Sequence, residues 1–249
     1  MTIRSRALLA TSAAILLTAV GAVACSNSPE EPQGGAAPSS STSPESSSTE
    51  SATESSTEKT SEESTEETSE AKLDVEVAPS AAKEMVIPSL NIDASFEGGP
   101  CRTTNGAIDP ATMDLACTYT ADDKPYVLPG STAEDITVIA GHTGSYTPGV
   151  FDNLYDGATF EHKITLGDVM YLRTEASGEN WLAYTATDTH EPEKPGLAYN
   201  TAIWGDEPMP GRLLTISCIQ PADFSQLSVR NAVVGWQFDG VVPASEVHA

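Results

Sequence analysis

Basic residues are scarce: 12 Lys and Arg stand against 36 Asp and Glu among 249 residues, for a net charge of −24. Such a field repels nucleic acid, so that partner class is discounted. No Cys or His pair stands at metal-ligand spacing, which leaves metal binding unsupported, and no cofactor is expected. Helical periodicity is weak and there is no internal repeat. Residues 26–71 contain no aromatic residue and no Leu, Ile, Val or Met. They cannot bury enough apolar area to offset the entropy of ordering. With eleven Glu against one Lys, this Ser/Thr/Glu-rich stretch reads as a disordered, self-repelling acidic stalk.

The N-terminus does hold apolar residues. Arg4 and Arg6 precede an apolar run over 7–23 that ends in "AVAC" at 22–25. A basic end, a short apolar segment and small residues before a cut describe a secretory signal. Cys25 after those small residues resembles a bacterial lipobox, with Ala22 where Leu is usual; this implies cleavage before Cys25 and acylation of its sulfur. An uncleaved anchor is the alternative, since roughly 20 apolar residues span a bilayer. The expected organisation is a lipoprotein signal peptide over 1–24, the stalk over 25–71, and one domain over 72–249, long enough for a sizeable core.

That domain reads as β-rich. "EMVIPSLNIDASF", "DITVIAG", "GDVMYLRTE", "NWLAYTATDT", "RLLTISC" and "RNAVVGWQF" are short, rich in Val, Ile, Thr, Tyr or Trp, and bounded by turn residues. "PGVFDNLYD" is the best candidate for a helical turn or two. Many short strands predict a barrel or sandwich. Residues 97–130 and 188–210 remain as long irregular stretches, which in a compact domain tend to be functional or pinned.

Cysteine arithmetic assigns Cys25 to the lipid and pairs Cys101 with Cys117, 16 residues apart in the first irregular stretch. Cys218 is left over at the end of an apolar strand, either a reactive thiol or a buried hydrophobe-like one. A reactive thiol needs a proton-handling partner. His162, His190 and His248 read as solvated, whereas His142 follows "DITVIAG", a strand end flanked by glycine. Arg230, 12 residues after Cys218, opens the next strand. It is either an oxyanion donor or a surface ion pair.

In the order His142, Cys218, Arg230 the chain resembles the sortases, cysteine transpeptidases of Gram-positive cell surfaces. The residues that carry the resemblance are "LLTISC" at 213–218, "AGHTGS" at 140–145 and "SVRNAVVGW" at 228–236, supported by "PGVFDNLYD", "ITLGDVMYL" and "MVIPSLNIDASF". It spans residues 85–238 and is nearest the actinobacterial class F group, with "VLPGS" at 127–131 matching a Pro-Gly segment before the histidine strand. Leu214 and Thr215 stand where the family motif has Thr and Leu, and Ser217 replaces its last Thr while keeping a hydroxyl. Papain-like and caspase chemistry fit neither the residue order nor the signature. Peptidoglycan L,D-transpeptidases place His and Gly directly before the cysteine, where this chain has Ile216 and Ser217.

The resemblance implies an all-β, eight-stranded, closed or nearly closed barrel with short helical turns. It also implies a thiol-dependent transpeptidase or peptidase at the extracytoplasmic face of a Gram-positive, actinobacterial membrane, held there by lipid. Cys218 would be the nucleophile, Arg230 the oxyanion donor and His142 the proton-transfer group. Ser217, Tyr199, Ile203 and Trp204 would contact substrate. The implied partners are an LPxTG-like peptide sorting signal of surface proteins and an amine acceptor, a cell-wall precursor or pilin lysine. The C-terminus lacks the apolar and basic tail of a sorting substrate. A catalytically inactive, sortase-like surface lipoprotein that acts as a binding module is the alternative.

Overall fold

The structure is a computed structural model that describes residues 72–120 and 126–247. The signal segment, the stalk, Cys25 and His248 lie outside the described residues. Among the described residues no helix is long and apolar enough to cross a membrane.

Among the described residues, twelve strands and three short α-helices follow in order. The strands are β1 (Ala82–Ile87), β2 (Ile92–Ser95), β3 (Arg102–Thr104), β4 (Ala107–Asp109), β5 (Cys117–Thr118), β6 (Thr137–Ala140), β7 (Tyr155–Asp156), β8 (Glu161–His162), β9 (Val169–Thr174), β10 (Trp181–His190), β11 (Arg212–Cys218) and β12 (Asn231–Val242). The helices are α1 (Lys194–Leu197), α2 (Thr201–Trp204) and α3 (Ala244–Val247). Eight strands form one sheet in the order β2-β1-β9-β10-β12-β11-β6-β5. Its two edges meet at a single bridge between Phe96 and Ala116, so the sheet curls until β2 and β5 nearly close it. The expected all-β, eight-stranded architecture is what the structure shows.

Closure gives the sheet an inside and an outside, and alternation sorts side chains between them. Inside lie Met85, Ile87, Ile139, Phe151, Leu172, Leu182, Leu213 and Trp236. Outside, Val138, Ala140, Leu214, Ile216, Cys218 and Val233 form a second cluster with Ile108, Tyr119, Leu197 and Ile203. β11 is buried along all seven residues because it is covered on both faces, which is why it reads as a continuous apolar run. Each fully buried Leu or Ile on it contributes about 1.5–3 kcal/mol.

The covering elements come from the two irregular stretches. Within 97–130, Asn105 and Gly106 both take positive φ and turn β3 into β4 as a two-residue hairpin. An Asn-Gly dipeptide is a local hairpin signal, so this part of the stretch is regular rather than irregular. The disulfide Cys101–Cys117 is present and ties the hairpin to β5, beside the end of β6. Within 188–210, α1 and α2 bury Leu197 and Ile203. "EMVIPSLNIDASF", expected as a strand, is a hairpin. Pro88 opens a 3-10 turn and Asn91 leaves it in the left-handed region, returning β2 along β1. "PGVFDNLYD" makes tight turns rather than a helix, with Leu154 N–H donating to the Phe151 carbonyl.

Candidate active site

β11 pairs in parallel with β6 and antiparallel with β12. The C-terminal ends of β6 and β11 and the N-terminal end of β12 therefore lie at one rim. Those ends carry His142, Cys218 and Arg230. Gly141 N–H donates to the Ile216 carbonyl at 3.2 Å, and the Thr143 hydroxyl to the Cys218 carbonyl at 2.8 Å. On the other side Ile219 N–H donates to the Arg230 carbonyl at 3.0 Å. The three residues, far apart in sequence, sit on three adjacent backbones.

His142 is 4% exposed. Its Nε2 lies 2.9 Å from the carbonyl oxygen of Pro110, just after β4, and 3.9 Å from an Asp109 carboxylate oxygen. A carbonyl only accepts, so Nε2 carries the hydrogen and the neutral ring has a bare Nδ1. Nδ1 is buried and makes no hydrogen bond. The atom left to exchange a proton is therefore Nδ1. Gly141 is required by crowding: a Cβ there would lie 2.6 Å from Val150 Cγ1 and 2.7 Å from Phe151 Cδ2. The turn that presses on it is held by Asp152, whose two oxygens accept from Gly144 and Gly149 N–H.

Arg230 is part-exposed. Its Nη1 donates to Glu191 Oε2 at 2.9 Å, and its guanidinium lies 6.0 Å from the Phe160 ring centroid. Glu191 also approaches His162 Nε2 at 3.9 Å. Desolvation lowers the His162 pKa despite that carboxylate, so His162 is an enclosed imidazole rather than the solvated one expected. His190 likewise is not simply solvated, since it bonds Asp188 at 2.8 Å. Burial, with Glu191 adding to it, pushes the Tyr155 hydroxyl up to about 12.

Cys218, fully buried, stands in the wall of a cleft of about 270 Å³ lined also by Thr143, Tyr155, Gln220, Pro221 and Phe224. Neither His142 nor Arg230 lines it. The sulfur is not the free thiol that catalysis requires. Among the described residues no cysteine is free, Cys218 included.

The residues expected to meet substrate are scattered. Ser217 and Ile203 are wholly buried, the latter in the outer cluster. Trp204 is half-buried, stacks on Tyr126 at 5.2 Å and donates from Nε1 to the Leu197 carbonyl. Tyr199 is exposed, at 62%. None of the four lines the cleft at Cys218. Thr215, out of place against the family motif, has a local reason: its Oγ1 accepts from Trp236 Nε1 at 3.0 Å. Among the described residues no cluster of His, Cys, Asp and Glu could hold a metal ion.

No protein-family model matches the chain, and no curated protein matches it. Solved structures do. Sortase A of Listeria monocytogenes is similar over 67% of this chain and 91% of its own, at 16% identity and a TM-score of 0.43. Sortase C-1 of Actinomyces oris is similar over 65% and 75%, at 21% identity and 0.44. Sortase E1 of Streptomyces coelicolor, solved with a tripeptide in its active site, is similar over 68% and 93%, at 13% identity and 0.42.

Proposed function

We propose that residues 72–249 form an extracytoplasmic cysteine transpeptidase of sortase type, nearest class F, carried on an acidic stalk and anchored through lipid on Cys25. The observation that carries the reading is the convergence of the β6, β11 and β12 ends on one rim, because it joins the three residues that the sequence motifs single out. The reaction starts from Cys218 reduced by a thiol. Its thiolate attacks the carbonyl carbon of the scissile bond in an LPxTG-like sorting signal. Arg230 donates to the developing oxyanion. The C–N bond breaks as His142, charged and holding a proton on Nδ1, passes it to the leaving amine. A thioacyl-enzyme remains. An amine acceptor, a cell-wall precursor or pilin lysine, then loses a proton to His142 and attacks the thioester, forming a new amide and releasing the Cys218 thiolate.

The full burial of Cys218, and the absence of His142 and Arg230 from the cleft it lines, favour a second reading, a sortase-like lipoprotein that binds surface ligands without chemistry. One experiment separates the two. The chain is incubated with a thiol reductant and Leu-Pro-type peptides, and the acyl-enzyme is trapped by mass spectrometry before amines are added. The transpeptidase reading expects an adduct on Cys218, lost in Cys218→Ala and in His142→Ala and weakened by on the order of 3 kcal/mol in Arg230→Ala. Arg230→Lys should rescue only part, since a point charge does not reproduce a planar fork. No adduct on the reduced chain with any peptide, together with binding to cell-wall material, establishes the binding module.

A further inference from the structure

The segment before α1 is stitched to the strand that carries Arg230. Glu193 and Arg230 form an antiparallel bridge, Lys194 N–H donates to the Val229 carbonyl at 2.9 Å, and Asn231 N–H to the Pro192 carbonyl at 3.0 Å. On this frame the Glu191 carboxylate meets the Arg230 guanidinium at 2.9 Å, with both side chains about one-third exposed. The contact has a floor. Phe160 lies under the guanidinium, and β7 and β8 bring Tyr155 edge-on against His162 at 5.0 Å, with His162 facing the other Glu191 oxygen. Of the guanidinium's donors, Nη1 is committed to Glu191. Nε and Nη2 make no hydrogen bond among the described residues.

We propose that Glu191 is a positioning residue: by taking Nη1 it fixes the plane of the Arg230 fork and leaves Nε and Nη2 to meet the oxyanion. The inference rests on the transpeptidase reading and adds a residue to it. Arginine has high rotamer entropy, and a free fork must be ordered at the moment of reaction. A carboxylate anchored by its own backbone bridge removes that ordering beforehand. The competing account is an ordinary surface ion pair with little effect on anything.

The two accounts part in a double-mutant cycle read by single-turnover acylation on the full, reduced chain. Glu191→Ala should slow acylation about 10-fold, with melting unchanged and the loss in kcat rather than KM. Glu191→Gln should keep most of the rate, because the amide oxygen still accepts from Nη1. In an Arg230→Ala background Glu191→Ala should cost nothing further. The Arg230 Nε–H resonance, an activity-independent readout, should shift in Glu191→Ala. Wild-type acylation beside an unimpaired Glu191→Ala, or a loss that multiplies with that of Arg230→Ala, overturns the positioning role alone. A reduced wild-type chain that forms no acyl-enzyme refutes the reaction, and the positioning role with it, whatever the resonance does.

Discussion

Replacing both Cys101 and Cys117 by alanine tests how the covering hairpin is held. The bond closes a loop of sequence separation 16. For such a loop the chain-entropy estimate is about 3 kcal/mol. Both sulfurs are buried, at 6% and 0% exposure, in the outer cluster. Each sulfur is the size of a buried methylene, so losing the two adds about 1–2 kcal/mol. Together these predict a loss of about 4–5 kcal/mol, and a fall in melting temperature on the order of 10–15 °C for a domain of this size. Both residues are changed so that the variant carries no new lone thiol. The measurement is thermal unfolding without reductant, alongside non-reducing peptide mapping of the parent. The hairpin also presents the Pro110 carbonyl to His142, so the variant should acylate more slowly even well below its melting point. A melting temperature lowered by less than about 3 °C would refute the reasoning, since Ile108 packing alone would then hold the hairpin.

Thr215→Val should leave the Trp236 N–H buried without an acceptor and cost about 1–3 kcal/mol by urea titration, with Thr215→Ser far milder. Equal stability of the two variants would contradict this. Gly141→Ala forces a Cβ against Val150 and Phe151, so it should cost about 1–3 kcal/mol and displace His142, abolishing acylation; full activity would show that the crowding is relieved elsewhere. Burial by itself would raise the Asp188 carboxyl, but Arg212, with Thr187 and His190, holds it well below the usual carboxylate range. With the folded pKa below the unfolded value of about 3.9, the stabilisation is complete above that value and is lost as pH falls through it toward the folded one. Asp188→Asn leaves the Arg212 charge buried, and should cost about 2–4 kcal/mol at pH 7 while flattening the loss of stability between about pH 4 and pH 2. An unchanged acid limb would place the sensitivity elsewhere.

The alternation of "RLLTISC" determined by itself which side chains of β11 share a face, and the structure keeps Leu214, Ile216 and Cys218 together on the outer one. A period of two is local chemistry, legible without knowing the neighbours. The six apolar runs all lie in the strands of the main sheet for the same reason, and the spacing of Cys101 and Cys117 sufficed for their pairing. Two strands of that sheet escaped as runs of their own. β2 hid behind the turn at Asn91, and β5 is two residues long, held by pairing to β6 rather than by its own pattern. What covers the outer face was illegible as well. Ile203 and Trp204 have the composition of a substrate loop and of a core alike, and their packing against Leu197, Tyr126 and the β11 face exists only in the folded chain. The partners of the candidate catalytic groups were beyond reach for a stricter reason. Pro110 meets His142 and Glu191 meets Arg230 across separations of 32 and 39 residues, through a backbone carbonyl in one case and a charge with many possible mates in the other. Residue types and periods are written along the chain, whereas contacts between distant segments exist only once the sheet has closed.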